Sequence, residues 1–470
     1  MRKTKIICTI GPACDKEETL RGLVDAGMNV ARLNFSHGTH EEQQARIDMI
    51  KKVRRDMNKP IAIMLDTKGP EYRIGTFEDH KVELAEGDVF TFTTEQIVGD
   101  KERVSVSYAG LPSEMNVGDT ILLNNGLIDF EVTDIQGNEI TTVVRIGGIL
   151  SDRKSMSFPG KHIKQAYLSE QDKADMLFGI KNGIDFIACS FVSVKQDLLD
   201  VQNFLDANGG QGIELIAKIE NQTGYDNIRS ICEVCSGVMV ARGDLGVEVP
   251  FEKLPAMQKE LITACRLMGK RVITATEMLE SMIHSPRPTR AEASDVANAV
   301  YDGTSAVMLS GETAAGEYPV LAVQTMAKIC ESTESGIDYA ERFHTNVPKI
   351  KNHVDAISHA TVGMGIDLNA KGIVACTISG LTARMVSRFR GPVDIIGMTT
   401  SERTWRQLAL SWGVIPVMCE MLPSTDVLFY VAKKTAIKTL ELKTGDTYIV
   451  TGGISIGQSG STDLIKVETI

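Results

Sequence analysis

The chain has 470 residues, of which 43% are hydrophobic and 24% charged, the balance of an ordinary soluble globular protein with about three domains. Its 61 acidic and 50 basic residues give a net charge of −11, which argues against nucleic acid and anionic membrane as main partners. No apolar run reaches the ~18 residues of a membrane-spanning helix, and nine scattered cysteines without an export signal predict reduced thiols in the cytoplasm.

Short apolar runs alternate with helical patterns along much of the chain. The runs stop at small, polar or charged residues, and they are TKIICTIGP, MNVARLNFSHG, IAIMLDTKGP, IDFIACSFV, IELIAKIENQ, GVMVARGDLG, RVITATEML and SAVMLSGETA. Helical patterns such as EETLRGLVDAG and FEKLPAMQKELITACRLMG lie between most of them. Eight alternations predict a (β/α)8 TIM barrel, in which the C-terminal ends of the strands carry the chemistry.

A long interval after LDTKGP has a different pattern. Segments such as KVELAEGDVFTFTT and EVTDIQGNEITTVV alternate with period two, with turn signals at EGD and QGN. This predicts a small inserted β-barrel lid domain over residues 71–158. The TIM-barrel catalytic domain is then discontinuous, with residues 1–70 and 159–340, and its lid lies over the barrel mouth.

The last part of the chain starts a new alternation after a linker that includes HTNVPKIKN. Strand GIVACTIS, helix LTARMVSRFR, strand VDIIGMTT and helix SERTWRQLALSW follow one another, and further α/β elements continue to the end. This order predicts a C-terminal doubly wound α/β domain over residues 345–470.

Polar and charged residues follow the predicted barrel strands. In the fifth strand, period-two alternation puts Lys218 and Glu220 on one face, where two charges are costly to bury unless they face a polar mouth. The other strand ends add Arg32, Asn34, Ser36, His37, Asp66, Thr67, Lys68, Arg73, Arg242, Asp244, Thr274 and Thr276. We expect these residues to form a polar ring, because the C-terminal ends of barrel strands meet at one mouth.

The residue types in this ring suit two kinds of ligand. The carboxylates of Glu220 and Asp244, on neighbouring strands, suit a hard divalent cation such as Mg²⁺. Arg32, Arg73 and Lys218 suit phosphate. A purely structural ion pair between Lys218 and Glu220 stays open as an alternative. Neither a Walker loop nor a GxGxxG fingerprint is present, so a nucleotide needs another mode of binding.

The segments that carry these residues resemble those of pyruvate kinases. They are CTIGP, NVARLNFSHG, LDTKGPEYR, AKIENQTG, VMVARGDLGVEVP, ATEMLESM, PRPTRAEASDVANAV and DGTSAVMLSGETAAGEYP, in chain order from Lys3 to about Pro319. The resemblance implies transfer of phosphate from phosphoenolpyruvate to ADP, followed by protonation of enolpyruvate to pyruvate, the final step of glycolysis. It also implies a homotetramer.

The resemblance implies a role for each residue at the mouth. The expected catalytic residues are Lys218, Arg32 and Thr276. The expected substrate contacts are Arg32, Lys218, Gly243, Asp244 and Thr276. The expected nucleotide contacts are Thr9, Pro12, Asn34, His37, Arg73 and Lys154. Mg²⁺ or Mn²⁺ is expected on Glu220 and Asp244, and K⁺ on Asn34, Ser36, Asp66 and Thr67. Glu71 follows the pattern of K⁺-dependent members, so we expect activation by K⁺.

The sequence departs from the family pattern at three places. The lid motif DDGL is here Asn124-Asn125-Gly126-Leu127, which removes two negative charges near the nucleotide's metal. Glu277 stands where glutamine is common, and Thr223 replaces a frequent acidic residue. We expect such changes to alter affinity or cation preference while the barrel site is kept.

A loop in the third domain, TISGLTAR, resembles the family's effector-phosphate loop. The expected effector contacts are Thr377, Ser379, Gly380 and Thr382, with fructose 1,6-bisphosphate or another sugar phosphate as ligand. An ordinary capped helix start is the alternative for this loop. For the whole chain, the alternatives are another metal-dependent barrel acting on pyruvate, such as an aldolase or lyase, and a catalytically weakened metabolite-binding regulator.

Overall fold

The computed structural model describes residues 1–161, 163, 166–345, 349–421, 423–453 and 462–470. Its first three strands are five-residue segments, β1 (Lys5–Thr9), β2 (Val30–Asn34) and β3 (Ala62–Asp66). Helices α1 (Glu17–Asp25) and α2 (His40–Asp56) connect them. A capping box between Thr39 and Glu42 fixes the start of α2, because each side chain accepts the backbone N–H of the other residue.

The next segment folds as a β-rich unit. Its elements are β4 (Tyr72–Arg73), β5 (Lys81–Leu84), β6 (Val89–Thr93), β7 (Arg103–Ser105), α3 (Leu111–Glu114), β8 (Thr120–Leu123), β9 (Ile128–Gln136), β10 (Glu139–Ile146), β11 (Gly148–Ser151) and β12 (Ser155–Ser157). Seven strands form one sheet in the order β4-β12-β8-β9-β10-β6-β7, and a bridge between Ile74 and Val106 joins its two edges. The sheet thereby encloses its own core, which includes Phe90, Phe92 and Phe130, and the predicted inserted β-barrel is confirmed.

The second part of the barrel follows with a regular alternation. Its elements are α4 (Glu170–Lys181), β13 (Phe186–Cys189), α5 (Lys195–Ala207), β14 (Glu214–Ile219), α6 (Gln222–Asp226), α7 (Ile228–Val234), β15 (Gly237–Ala241), α8 (Arg242–Glu248), α9 (Leu254–Leu267), β16 (Arg271–Ala275), α10 (Arg290–Asp302), β17 (Ala306–Leu309), α11 (Gly311–Ala314) and α12 (Pro319–Ser335). The eight parallel strands close in the order β1-β2-β3-β13-β14-β15-β16-β17, which confirms the predicted (β/α)8 barrel. Side chains such as Ile7, Met64 and Ile273 fill its interior.

The C-terminal part forms a three-layer α/β domain. Its elements are α13 (Tyr339–Thr345), α14 (His353–Asp367), β18 (Ile373–Cys376), α15 (Leu381–Ser387), β19 (Ile395–Thr399), α16 (Glu402–Leu408), β20 (Val414–Met418), α17 (Thr425–Leu440), β21 (Thr447–Gly452) and β22 (Leu464–Thr469). The sheet order is β20-β19-β18-β21-β22, with β22 antiparallel at the edge. Because α14, α15 and α16 cover one face and α17 the other, the predicted doubly wound fold is confirmed.

This domain packs against the N-terminal ends of the barrel strands. Arg271, the first residue of β16, donates to Ser411 Oγ and to the Gln407 carbonyl. The Lys5 ammonium, at the start of β1, donates to the Val414 carbonyl at 2.8 Å. The opposite, C-terminal end of the barrel is therefore left to face the inserted β unit. Among the residues that the structure describes, no helix is long and apolar enough to cross a membrane.

Candidate active site

Lys218 lies at the centre of a buried charged cluster at the C-terminal end of the barrel. Its ammonium is 3.1 Å from Asp66 Oδ1, 3.0 Å from Glu220 Oε1 and 2.7 Å from Ser190 Oγ. Arg32 Nε in turn donates to Asp66 Oδ2 at 2.6 Å. Two cations and two carboxylates thus alternate, and their mutual attraction offsets part of the cost of burial. The short distance between Lys218 and Glu220 agrees with the prediction that their side chains lie on one face of the strand.

The cluster holds its groups in defined charge states. Burial opposes the charge of Lys218, but Asp66 and Glu220 outweigh it and raise the Lys218 pKa above its ordinary value. Burial also opposes the charge of Asp66 and would raise its pKa, but the positive charges of Arg32 and Lys218 outweigh this effect and lower the Asp66 pKa overall. At Glu220 the balance is reversed, because burial and the negative charge of Asp244 raise its pKa despite Lys218. Lys218 therefore offsets only part of the cost of burying the Glu220 charge, and Asp244 adds to that cost.

A cation beside Glu220 would lower the remaining cost of burying this carboxylate. Glu220 follows β14 and Asp244 lies in the first turn of α8 after β15, and these two strands pair directly. Glu220 is buried, with Oε2 accepting the Phe191 N–H at 2.5 Å, whereas Asp244 is exposed. Two carboxylates that leave room for water or substrate oxygens are a typical Mg²⁺ set. Within the described residues no group of three or more His, Cys, Asp or Glu could hold a metal, so further ligands come from water or substrate.

Side-chain oxygen atoms that could bind a cation also lie close together where β2 and β3 end. Asn34 and Asp66 are register partners in these strands, and the Ser36 N–H donates to Asn34 Oδ1 at 3.0 Å. Thr67 follows Asp66, and its hydroxyl donates to the Ala188 carbonyl inside the barrel. The four residues predicted to bind K⁺ therefore lie at one corner of the mouth. Amide, hydroxyl and carbonyl oxygens around a single carboxylate suit a monovalent cation.

Thr276 joins the end of β16 to the start of α8. Its Oγ accepts the Gly243 N–H at 2.8 Å and donates to the Ala275 carbonyl at 2.6 Å. Thr276 and Glu277 have φ values of 68° and 52°, a left-handed conformation that is uncommon outside glycine. The turn therefore places the Thr276 hydroxyl against the α8 N-terminus.

Two members of the predicted polar ring were placed wrongly. Arg242 turns away from the mouth, because its guanidinium donates to the Ala275 carbonyl at 3.1 Å and the Glu277 carbonyl at 3.2 Å and pairs with Asp295. It holds the strained turn and does not line the site. Thr274 is completely buried, and its hydroxyl bonds to Thr304 Oγ at 3.0 Å within the barrel wall.

A cleft of about 550 Å³ separates the β unit from the barrel mouth. It brings together the predicted nucleotide contacts His37, Arg73 and Lys154, and also Asp244. It also reaches Phe191 and Asn221, the neighbours of Ser190 and Glu220, so it opens at the edge of the charged cluster. The remaining nucleotide contacts lie elsewhere. Thr9 is buried with its Oγ accepting from Arg32 at 2.9 Å, Asn34 lies at the cation corner, and Pro12 is exposed at the start of a 3-10 turn.

Arg73 is occupied by a partner in this structure. Its Nε and Nη2 contact the two carboxylate oxygens of Glu71 at 2.9 and 2.6 Å, and its Nη1 donates to the Arg153 carbonyl at 2.6 Å. Lys68 approaches the same carboxylate at 4.0 Å. A phosphate would therefore compete with Glu71 for this guanidinium.

The departure Asn124-Asn125 lies in a left-handed turn, a conformation that asparagine and aspartate both tolerate. Asn124, Asn125 and Gly126 have consecutive φ values of 55°, 58° and 78°, and asparagine tolerates this left-handed conformation better than most residues. The turn approaches α8, since a Cβ on Gly126 would lie 3.3 Å from Val247 Cγ1. In α8, the residue after Val247 is Glu248, and burial raises its pKa to about 7. Hydrogen bonds from the lid residues at the end of β12 lower this pKa, but burial outweighs them. The lid thus rests on α8 through a neutral turn.

Ser190 is a functional residue that the sequence analysis missed. Its Oγ accepts from Lys218 and donates to the Thr67 carbonyl at 2.7 Å, so it links the ends of β13, β14 and β3. Its signal was present, because Ser190 is the polar residue that directly follows the apolar strand residues in the run IDFIACSFV.

The predicted effector residues lie around the start of α15. Gly380 has φ 80° and precedes the helix without a side-chain cap, and the Thr382 hydroxyl is 2.8 Å from that of Thr462. Thr377 N–H donates to the Met398 carbonyl, and the Ser379 carbonyl accepts from Arg384. The segment 454–461, beside Thr462, lies outside the described residues.

Comparisons with known proteins agree over the whole chain. A family model described as the pyruvate kinase barrel domain matches residues 1–323, and one described as the pyruvate kinase alpha/beta domain matches residues 355–468. A curated pyruvate kinase of Sporosarcina psychrophila is 47% identical over 100% of this chain and 81% of its own length. One of Clostridium acetobutylicum is 45% identical over 100% of both.

A solved structure has the same arrangement. The crystal structure of a pyruvate kinase from Cryptosporidium parvum superposes with a TM-score of 0.95 at 39% identity, covering 100% of this chain and 96% of that one. Both domain models, the relatives and the shared fold lead to one assignment. The chain belongs to the pyruvate kinase family.

Proposed function

We propose that the charged cluster at the barrel mouth catalyses transfer of the phosphoryl group of phosphoenolpyruvate to ADP, producing pyruvate and ATP. Membership of the family makes the chain a phosphotransferase of glycolysis. The observation that carries the site assignment is the buried Lys218 ammonium, 3.1 Å from Asp66 and 3.0 Å from Glu220. Its surroundings keep it charged and fix its position before substrate arrives.

Lys218 stabilises the phosphoryl group in flight. The transition state of phosphoryl transfer spreads negative charge over the equatorial oxygens, and a preorganised cation lowers its energy without reorganisation. Arg32 binds the same phosphate. Asp66 and Thr9 hold its Nε and Nη1, which orients the guanidinium for a bidentate grip.

The residues around α8 bind the rest of the substrate. The backbone N–H groups of Gly243 and Asp244 and the Thr276 hydroxyl contact the carboxylate. Because Thr276 already donates and accepts hydrogen bonds in this turn, it can pass a proton to enolpyruvate once the phosphoryl group has left.

Two cations complete the site in this proposal. Glu220 and Asp244 would hold Mg²⁺ or Mn²⁺, which would supply neutralisation of the negative charge on the phosphate. Asn34, Ser36, Asp66 and Thr67 would hold K⁺. Since Asp66 also pairs with Arg32 and Lys218, it fixes the cation corner and both phosphate-binding side chains together.

We place ADP in the cleft between lid and barrel, with His37, Arg73 and Lys154 as its contacts there. The other contacts that the family resemblance implies, Thr9, Pro12 and Asn34, lie outside this cleft. A sugar phosphate at Thr377, Ser379, Gly380 and Thr382, a homotetrameric assembly and a cytoplasmic location complete the proposal, and each follows from the family alone.

A single assay tests this function. Purified protein is incubated with phosphoenolpyruvate, ADP, Mg²⁺ and K⁺, and pyruvate and ATP are measured against samples without ADP. Equal amounts of pyruvate and ATP, formed only with ADP, are expected. Pyruvate chemistry that does not need ADP would instead indicate an aldolase or lyase, and binding without turnover would indicate a regulator.

A further inference from the structure

A second cavity, of about 270 Å³, lies at the end of the barrel away from the active site. We call it the interdomain cavity. The ends of α9, α10 and α13 form one wall, and residues 388–390 and 412 of the C-terminal domain form the other. Its aromatic lining consists of Tyr301, Tyr339, Phe343, Phe389 and Trp412. The cavity therefore touches both domains at their junction.

The charge of this lining is strongly positive. Four arginines face it, Arg266, Arg342, Arg388 and Arg390, against the single carboxylate of Asp302. Asp302 Oδ1 pairs with Lys259, whereas Asp302 Oδ2 is buried without a hydrogen-bond partner among the described residues. Arg388 pairs with Asp355 at 3.1 Å. Within the described part of the chain, the other three arginines have no carboxylate partner.

Arg390 is the most deeply buried of these cations. Only 6% of it is exposed, and its donors reach neutral acceptors alone: the carbonyls of Gly303 and Ser387 at 3.1 and 2.9 Å and Ser305 Oγ at 2.9 Å. Burial and the positive charge of Arg266 lower its pKa to about 9. A buried cation without a counterion is costly, so an anion at this place would be stabilising.

Two donors of the cavity are also unfilled. Arg266 Nε and Arg388 Nε are buried and have no hydrogen-bond partner among the described residues. The pKa of Arg266 is lowered by burial and by the neighbouring Arg342. Arg266 Nε lies on the α9 wall and Arg388 Nε on the facing wall, so each wall has an unsatisfied buried donor near uncompensated positive charge, an arrangement that a bound oxyanion stabilises.

We propose that the interdomain cavity binds a small phosphate ester, whose dianion pairs with Arg266, Arg342 and Arg390 and whose organic part packs against the aromatic rings. A dianion is favoured over a monocarboxylate because three guanidinium groups lack a counterion. The cavity has the volume of about nine waters, enough for a phosphate and a small ring. Since both domains contribute contacts, the ligand stabilises their packing from the end opposite the catalytic mouth.

The two tryptophans of the chain permit a local test. Trp412 lines the cavity, with the Arg390 guanidinium 4.8 Å from its ring, so its emission reports binding there. Trp405→Phe removes the second fluorophore. In this background the full chain is titrated with inorganic phosphate, phenyl phosphate and benzoate at constant ionic strength. We expect saturable changes in emission, with phenyl phosphate the tightest and benzoate the weakest.

Among these arginines, Arg266 is the one whose substitution should disturb the fold least, because its Nε makes no hydrogen bond among the described residues that the substitution would break. Arg266→Gln is expected to weaken phenyl phosphate binding by about tenfold, the loss typical of one charge-assisted hydrogen bond. Arg229→Gln, an exposed arginine of α7 outside the cavity, is the matched control and should bind as the parent does. The proposal is overturned by an absence of saturation, by equal affinity for benzoate, or by an unchanged affinity of Arg266→Gln.

Discussion

Removal of the Lys218 charge is the most direct test of the site. Lys218→Met keeps a side chain of similar length while it deletes the ammonium that contacts Asp66, Glu220 and Ser190. Asp66 keeps Arg32 as a partner at 2.6 Å, whereas Glu220 keeps only the Phe191 N–H among the residues that the structure describes. The variant therefore loses a catalytic charge, and it also leaves the buried Glu220 carboxylate without its counterion.

The two effects have different sizes. At an effective dielectric constant of about 20, a unit charge about 4 Å from the developing negative charge contributes about 4 kcal/mol. One preorganised group of this kind is typically worth about 10²–10³ in kcat, so we expect a loss in that range. Breaking a buried ion pair costs about 3–5 kcal/mol of stability, and protonation of Glu220, whose pKa burial already raises, reduces this cost.

The assay separates these contributions. Pyruvate formation is measured at saturating phosphoenolpyruvate and ADP, well below the unfolding temperature found for the same sample by circular dichroism. Lys195→Met is the matched control, because it breaks the surface pair with Glu233 and should change stability by less than about 1 kcal/mol and leave kcat unaltered. A folded Lys218→Met variant that retains more than a tenth of wild-type kcat would refute the reasoning.

Three further predictions concern the cation corner, the strained turn and the barrel base. Replacing K⁺ by tetramethylammonium at constant ionic strength should lower kcat, and an unchanged rate contradicts the K⁺ assignment. Arg242→Gln frees the turn at Thr276 and should lower kcat/KM for phosphoenolpyruvate by about 10²-fold, the loss of an ~1 Å misplacement, while KM for ADP stays constant. Burial, and to a smaller extent the positive charge of Arg2, lowers the pKa of Lys5 in the folded chain to about 7. Above pH 7, Lys5 is therefore more fully protonated in the unfolded chain than in the folded chain, so stability rises with pH. The stability of wild type relative to Lys5→Met should rise by at most about 1.4 kcal/mol per pH unit from pH 7 to 9 in guanidinium chloride titrations, and a constant difference contradicts the assignment.

Several features of the site were predictable because they depend on short-range periodicity. Alternation of side chains within one strand placed Lys218 and Glu220 together, and the closure of eight strands placed Asp66 and Arg32 nearby. The same alternation misplaced Arg242, because α8 starts at that residue and the strand period ends at Ala241. The period-two pattern also does not show how deeply a side chain is buried in the barrel, and for this reason Thr274 was assigned to the mouth.

Local pattern alone determined the elements of this chain and their order. Hydrophobic period, turn residues and strand-end polarity act over a few positions, and they led to the barrel, the inserted β unit and the C-terminal α/β domain. Tertiary structure decided which distant groups share a charge environment. Ser190 meets Lys218 only when β13 and β14 pair in the barrel, and Arg266 approaches Arg390 only when the barrel and the C-terminal domain pack. Coulomb interactions and burial depend on distances in space that sequence separation does not contain.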